Sequence, residues 1–173
     1  MQWHNGDVLE LAESVKANIV LFTANSVVTD SRLVMGAGFA KQVRDTFKGI
    51  DLELGRTLLG SSGTNGVQPD YGLVTAVTRH NNRSLIIGAL QVKKHYNDHK
   101  NVKTKQGCWE LTESSLFMLQ ATLRGWSKNL PPFVLVMNCP LIGLGGYASE
   151  KDKVVGLVEN YLGEFEDVYV CTK

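Results

Sequence analysis

The sequence predicts an α/β fold, a three-layer α/β/α arrangement around a mixed central sheet. Three observations carry this expectation. Strand and helix signals alternate along the whole chain. The runs at 19–22 and 133–137 are apolar without alternation, as in strands covered on both faces. Segments 71–77 and 84–92 are separated only by a polar turn, too short for a crossover helix, so this pair reads as an antiparallel hairpin and the sheet as mixed.

Taken in order, residues 2–5 open as a short strand ended by Gly6-Asp7, and 8–16 read as a helix with Val8, Leu11, Ala12 and Val15 apolar. Residues 18–24 form a buried strand. A helix is expected over 37–47 and a short one over 51–59, with Asp51 as its N-cap. Residues 61–69 are polar and turn-rich, a surface loop rather than a domain linker. After the hairpin, 109–126 is the longest helix, broken by Pro131-Pro132, with Trp109, Phe117 and Trp126 assigned to core packing. A strand at 133–137, a helix at 151–162 and a closing strand at 168–171 complete the chain. No internal repeat interrupts the pattern, and one domain spanning 1–173 is expected.

Composition narrows the function classes. The 18 lysines and arginines are balanced by 17 acids, a net charge of +1, so bulk charge draws the chain to neither nucleic acid nor membrane. A nucleic acid would have to be gripped locally. No apolar stretch approaches the ~18–20 residues of a membrane span, and residues 1–5 do not read as the start of a signal peptide. Cys108, Cys139 and Cys171 stand far apart and suit reduced thiols, so a cytoplasmic location is expected.

In open α/β sheets, ligands bind beyond the carboxyl ends of the strands. Two glycine-rich segments occupy such places: Met35-Gly36-Ala37-Gly38-Phe39, leading into a helix, and Ile142-Gly143-Leu144-Gly145-Gly146-Tyr147, after the strand at 133–137. Glycines let backbone N–H groups turn toward a ligand, and a helix N-terminus adds partial positive charge. Two such loops suit two adjoining phosphates, although each alone is equally a tight turn. A Rossmann unit wants its glycines directly after the first strand with a third three positions after the second. Here residues 26–35 intervene and position 41 is lysine.

Gly6-Asp7-Val8, Thr23-Ala24-Asn25-Ser26, the run MGAGFAKQ and the late run PLIGLGG together resemble the macrodomain family, in order and over essentially the whole chain. The resemblance implies ADP-ribose as ligand or product, with no cofactor and no metal. It places Asp7, with Val8 beside it, at the adenine amino group and Asn25 at the distal ribose. Gly36, Ala37, Gly38 and Phe39 would wrap the diphosphate together with Gly143, Leu144, Gly145, Gly146 and Tyr147. Asp7 is equally a helix N-cap, Asn25 a turn residue, and Phe39 a packing residue.

Within the family the chemistry varies. The acid that MacroD-type hydrolases carry after the first glycine loop is absent from Phe39-Ala40-Lys41. The histidine that 1″-phosphatases often place near the asparagine is absent between Asn25 and Gly36. Gln91-Val92-Lys93-Lys94-His95-Tyr96 resembles the strand-end segment of hydrolases acting on terminal ADP-ribose, a group that includes antitoxins removing ADP-ribose from DNA bases. That likeness implies Lys93 as the residue approaching C1″ and Asn25 as the one orienting the ribose. Tyr147 stands where the protein-directed member has an acid.

Alternatives remain open: a solvated pair for Lys93 and Lys94, a non-catalytic ADP-ribose or nucleotide binder, or a 1″-phosphatase. His95 and His99 follow a strand and are not read as metal ligands, and Cys139 is read as a buried, inert thiol. The partner expected is ADP-ribose or an ADP-ribosylated substrate, nucleic acid entering only as that modified substrate. Neither a membrane nor a second subunit is expected.

Overall fold

A computed structural model describes residues 1–129, 132–140 and 148–172, without the side chains of 99 and 148. Strands β1 (Gln2–His4), β2 (Ile19–Ala24), β6 (Leu73–His80), β7 (Arg83–Gln91), β8 (Leu135–Asn138) and β9 (Val168–Cys171) form a six-stranded sheet. Its order is β1-β9-β8-β2-β7-β6. Every pairing is parallel except β6 with β7, which runs from Leu73↔Leu90 to His80↔Arg83. The sheet is therefore mixed, for the reason the short connection gave. Asn81 and Asn82 make that connection with φ of 50° and 62°, the two left-handed residues that a type I′ hairpin requires.

Helices cover both faces. On one side α1 (Val8–Ser14), α2 (Gly38–Thr46) and α3 (Ile50–Leu59) bury Val8, Ala12, Val43 and Leu54 against Val20, Phe22 and Ile87. On the other, α4 (Val102–Asn129) and α5 (Lys151–Leu162) bury Leu116, Leu119, Leu123, Val154 and Val158 against Ile19, Leu21 and Leu135. Apolar residues on both sides of β2 explain its unbroken run.

Four details differ from the sequence expectation. The segment after β2 contains β3 (Val27–Thr29) and β4 (Arg32–Leu33), and the expected surface loop contains β5 (Gly66–Val67). These pair as a small antiparallel sheet, β4-β3-β5. Such short strands give no periodicity to read. Second, Gly49, with φ of 86°, precedes α3 as its cap. Asp51 lies inside the first turn instead, where its Oδ1 accepts from Arg32 Nη1 at 3.0 Å. The same oxygen also accepts from Leu52 N at 3.0 Å, so the carboxylate joins β4 to the first turn of α3 from within the helix. Third, α4 begins at Val102, where Asn101 Oδ1 accepts from Lys103 N. Fourth, Phe117 is 61% exposed and belongs to no core, whereas Trp109 is buried and Trp126 packs edge-on to Phe133. No helix among the described residues is long and apolar enough to cross a membrane.

Candidate functional site at the carboxyl edge of the sheet

The parallel strands share one direction, so the residues after β1, β2, β7, β8 and β9 all emerge at one edge. Asp7, Asn25 and Lys93 follow β1, β2 and β7, which end there, and the first glycine segment follows β4 of the small sheet. The second glycine segment, Gly143, Leu144, Gly145, Gly146 and Tyr147, lies outside the described residues.

After β1 the chain turns through Gly6, where a Cβ would stand 2.6 Å from His4 Nε2 and would require that ring to move. Asp7 then caps α1: its Oδ1 accepts from Glu10 N at 2.9 Å. The side chain of Val8 is buried in the core. Cys171, at the end of β9, is held near about 11 by burial and by the neighbouring Asp7 carboxylate.

After β2, Asn25 is 7% exposed and its amide is engaged locally. Its Oδ1 accepts from Val27 N at 2.8 Å, and its Nδ2 donates to Val34 O at 3.0 Å. Asn25 thus closes the base of the β3–β4 hairpin as an Asx turn. That hairpin delivers the chain to Gly36, Ala37 and Gly38, all exposed. Gly38 has φ of 57° and opens α2, and Ala37 at the cap position offers no side chain to the first N–H groups. Those donors face outward at the positive end of the helix dipole. Phe39 is half-buried and packs against Val43 and its neighbours in the core.

Lys93 leaves the end of β7, half-buried, with Nζ donating to Tyr96 O at 2.9 Å. Burial lowers its pKa below the ordinary lysine value, opposed by Cys108 and Asp98 and aided by Lys100. Lys94 and His95 are exposed. Lys93 and Asn25 follow adjacent strands that stay bonded beyond the ladder, though out of its regular register: Val92 N donates to Ala24 O and Ser26 N to Lys94 O, both at 2.9 Å. These bonds bring the backbones of the two residues next to each other, while the Lys93 side chain bonds Tyr96 O and that of Asn25 bonds Val27 N and Val34 O.

A buried polar knot lies behind them. Gln91 and Ser26 are both 0% exposed. Gln91 Oε1 accepts from Tyr71 N and Gly72 N, and its Nε2 donates to Ser26 Oγ. Ser26 Oγ in turn donates to Lys93 O at 3.0 Å, and the Tyr71 hydroxyl donates to Asn25 O at 2.7 Å. Burial pushes the Tyr71 phenol well above its usual range, keeping it a donor. Between β2 and β8, Asn138 replaces the backbone ladder: its Oδ1 accepts from Thr23 N, and its Nδ2 donates to Thr23 Oγ1, each at 3.1 Å. Sequence reading gave Ser26, Gln91, Tyr71 and Asn138 no role of this kind. The one cue was an amide, Gln91, set between Leu90 and Val92 in an otherwise apolar strand end.

Cys139, just past β8, is buried, and desolvation pushes its thiol up to about 12. It holds its proton at neutral pH, as an inert core thiol would. No group of three or more metal-binding side chains occurs among the described residues.

No family model matches the sequence, and no curated protein matches it. Among solved structures, the macrodomain of Mycobacterium tuberculosis DarG is similar over 99% of this chain and 97% of that one, with a TM-score of 0.59. Sequence identity is 14%, so the likeness resides in the path of the backbone and not in side-chain chemistry. The mixed six-stranded sheet, its two helical layers and this end-to-end superposition identify the architecture of the chain as the macrodomain fold.

Proposed function

We propose that this chain binds ADP-ribose along the carboxyl edge of its sheet and hydrolyses ADP-ribosyl linkages at C1″. The observation that carries the reading is the placement of Lys93 beside Asn25, with burial favouring the neutral amine. In this reading Asp7 receives the adenine amino group on the carboxylate oxygen that its capping bond leaves over. The N–H groups at the start of α2 take the diphosphate, a role that the family resemblance extends to Gly143, Leu144, Gly145, Gly146 and Tyr147. A neutral Lys93 amine attacks C1″ of the opened ribose and displaces the linked group, which leaves with a proton. Water then hydrolyses the imine, releasing ADP-ribose and restoring the amine. The leaving group is a nucleic-acid base, a protein side chain or a small substituent.

Lys93→Ala should lower release of ADP-ribose from modified DNA or protein by about 100-fold or more while changing ADP-ribose affinity by no more than about threefold. The attacking form is the free amine, whose fraction grows with pH. Wild-type turnover should therefore rise through the lowered pKa of Lys93 and level off before the ordinary lysine range. Unchanged turnover in Lys93→Ala overturns the chemistry and leaves the binding site intact.

One set of observations favours a second reading, a non-catalytic ADP-ribose binder. Ala40 stands where an acid would assist, the Asn25 amide is engaged by Val27 and Val34, and the Lys93 amine donates to Tyr96 O. Calorimetry with ADP-ribose, run beside the release assays, separates the two: binding without release on any substrate selects the binder.

A further inference from the structure

Successive carbonyls of an extended strand point to opposite sides. At the exit of β7 they do not. Lys93 O accepts from Ser26 Oγ at 3.0 Å and Lys94 O from Ser26 N at 2.9 Å, so one residue of the β2 end grips two consecutive peptide units. The chain must turn there, and the strand assignment indeed stops at Gln91. Ser26 is held in its own right: its carbonyl accepts from Gln68 N, and its hydroxyl accepts from Gln91 Nε2. Gln91 is fixed by the N–H groups of Tyr71 and Gly72. All four polar contacts of Ser26 lie in a fully buried place, where low dielectric strengthens each bond and makes an alternative arrangement costly.

We propose that Ser26 and Gln91 are positioning residues, which bend the exit of β7 so that the Lys93 side chain is held half-buried at the edge with its Nζ on Tyr96 O. The inference rests on the functional reading above but is separable from it, because it concerns where Lys93 is held. Gln91 receives both backbone donors at the entrance of β6, and its amide hydrogen then orients the Ser26 hydroxyl. That hydroxyl has a single hydrogen, which the Gln91 donor directs toward Lys93 O. An alanine at 26 would keep the backbone bond to Lys94 O and lose the bond to Lys93 O. The bend would open, and Lys93 would move toward water, losing the burial that lowers its pKa.

The experiment titrates Lys93 in the full chain by competitive acylation with acetic anhydride, read by mass spectrometry against the exposed Lys128. In Ser26→Ala the midpoint for Lys93 should rise toward the ordinary lysine value by about 0.5 unit or more, with that of Lys128 unchanged. Ser26→Thr, which keeps the hydroxyl, should restore the wild-type midpoint. Where release of ADP-ribose is measurable, kcat of Ser26→Ala should fall about tenfold or more with KM changed by less than about threefold. A Lys93 midpoint that stays put in Ser26→Ala overturns the proposal, as does a shift shared equally by Lys128 or left unrepaired by threonine in a folded variant. Calorimetry on the wild type judges the functional reading independently: absence of ADP-ribose binding removes that reading, while the Lys93 midpoint still decides the role of Ser26.

Discussion

Asn25 shows how one side chain can carry both a structural and a functional assignment. Its Oδ1 is bonded to Val27 N and its Nδ2 to Val34 O, which leaves one amide hydrogen and one lone pair for a ligand. In Asn25→Ala the half-buried Val27 N–H and Val34 carbonyl lose their partners, a loss of about 1–3 kcal/mol in urea unfolding. Asn25→Asp keeps the acceptor for Val27 and should recover part of that loss. An alanine variant of wild-type stability would show that the hairpin does not depend on this turn. The places of Asn25 and Lys93 after strand ends were legible because each sits in a short motif next to an apolar run. Ser26, Gln91, Tyr71 and Asn138 were not, because their roles come from strand register. Ser26 meets Gln91 only once β2 and β7 pair in parallel, a relation no local spacing encodes.

Between elements, glycines mark the closest approaches, and their meaning depends on what lies opposite. In α3, a Cβ on Gly55 would run into the backbone of Ser31 and Arg32, at the tip of the β3–β4 hairpin. In α5, a Cβ on Gly156 would meet nothing within 4 Å. Helix propensity alone favours alanine by about 0.8–1.0 kcal/mol at either site. Gly156→Ala should therefore stabilise by roughly that amount, whereas Gly55→Ala should destabilise by about 1–3 kcal/mol through overpacking. Thermal or urea unfolding checks both, and a stabilised Gly55→Ala would mean that the hairpin yields readily. The same hairpin explains part of what went unread. Asp30 and Ser31 have φ of 50° and 63°, the same left-handed pair as Asn81-Asn82. Asn81-Asn82 joins strands of eight and nine residues with clear β character; Asp30-Ser31 joins strands of three and two. Turn chemistry is informative only when the flanking strands are long enough to show their period.

At the scale of the molecule, convergence matters more than any element. Asp7 lies near the start of the sequence and Lys93 past its middle, yet parallel pairing brings the ends of β1, β9, β8, β2 and β7 to one edge. The layered α/β architecture was legible because buried strands, helix periods and one hairpin alternate along the chain; the order of the strands was not. A ligand lying along that edge would touch loops from strands on both sides of β2 and so tie together segments remote in sequence. Binding to the native state alone adds stability by mass action, about 2.7 kcal/mol at 100 times the dissociation constant. For a chain of this size each kcal/mol shifts Tm by about 2–4 °C. ADP-ribose at that excess should accordingly raise Tm by roughly 5–11 °C in the wild type. It should raise it about equally in Lys93→Ala, since in the proposed mechanism the amine would act on C1″ and contribute little to holding the nucleotide. AMP should produce a smaller rise, because it leaves the distal phosphate and the ribose beside Asn25 unfilled. Equal shifts with AMP and ADP-ribose would confine recognition to the Asp7 end, and no shift with either would mean that this edge serves another ligand.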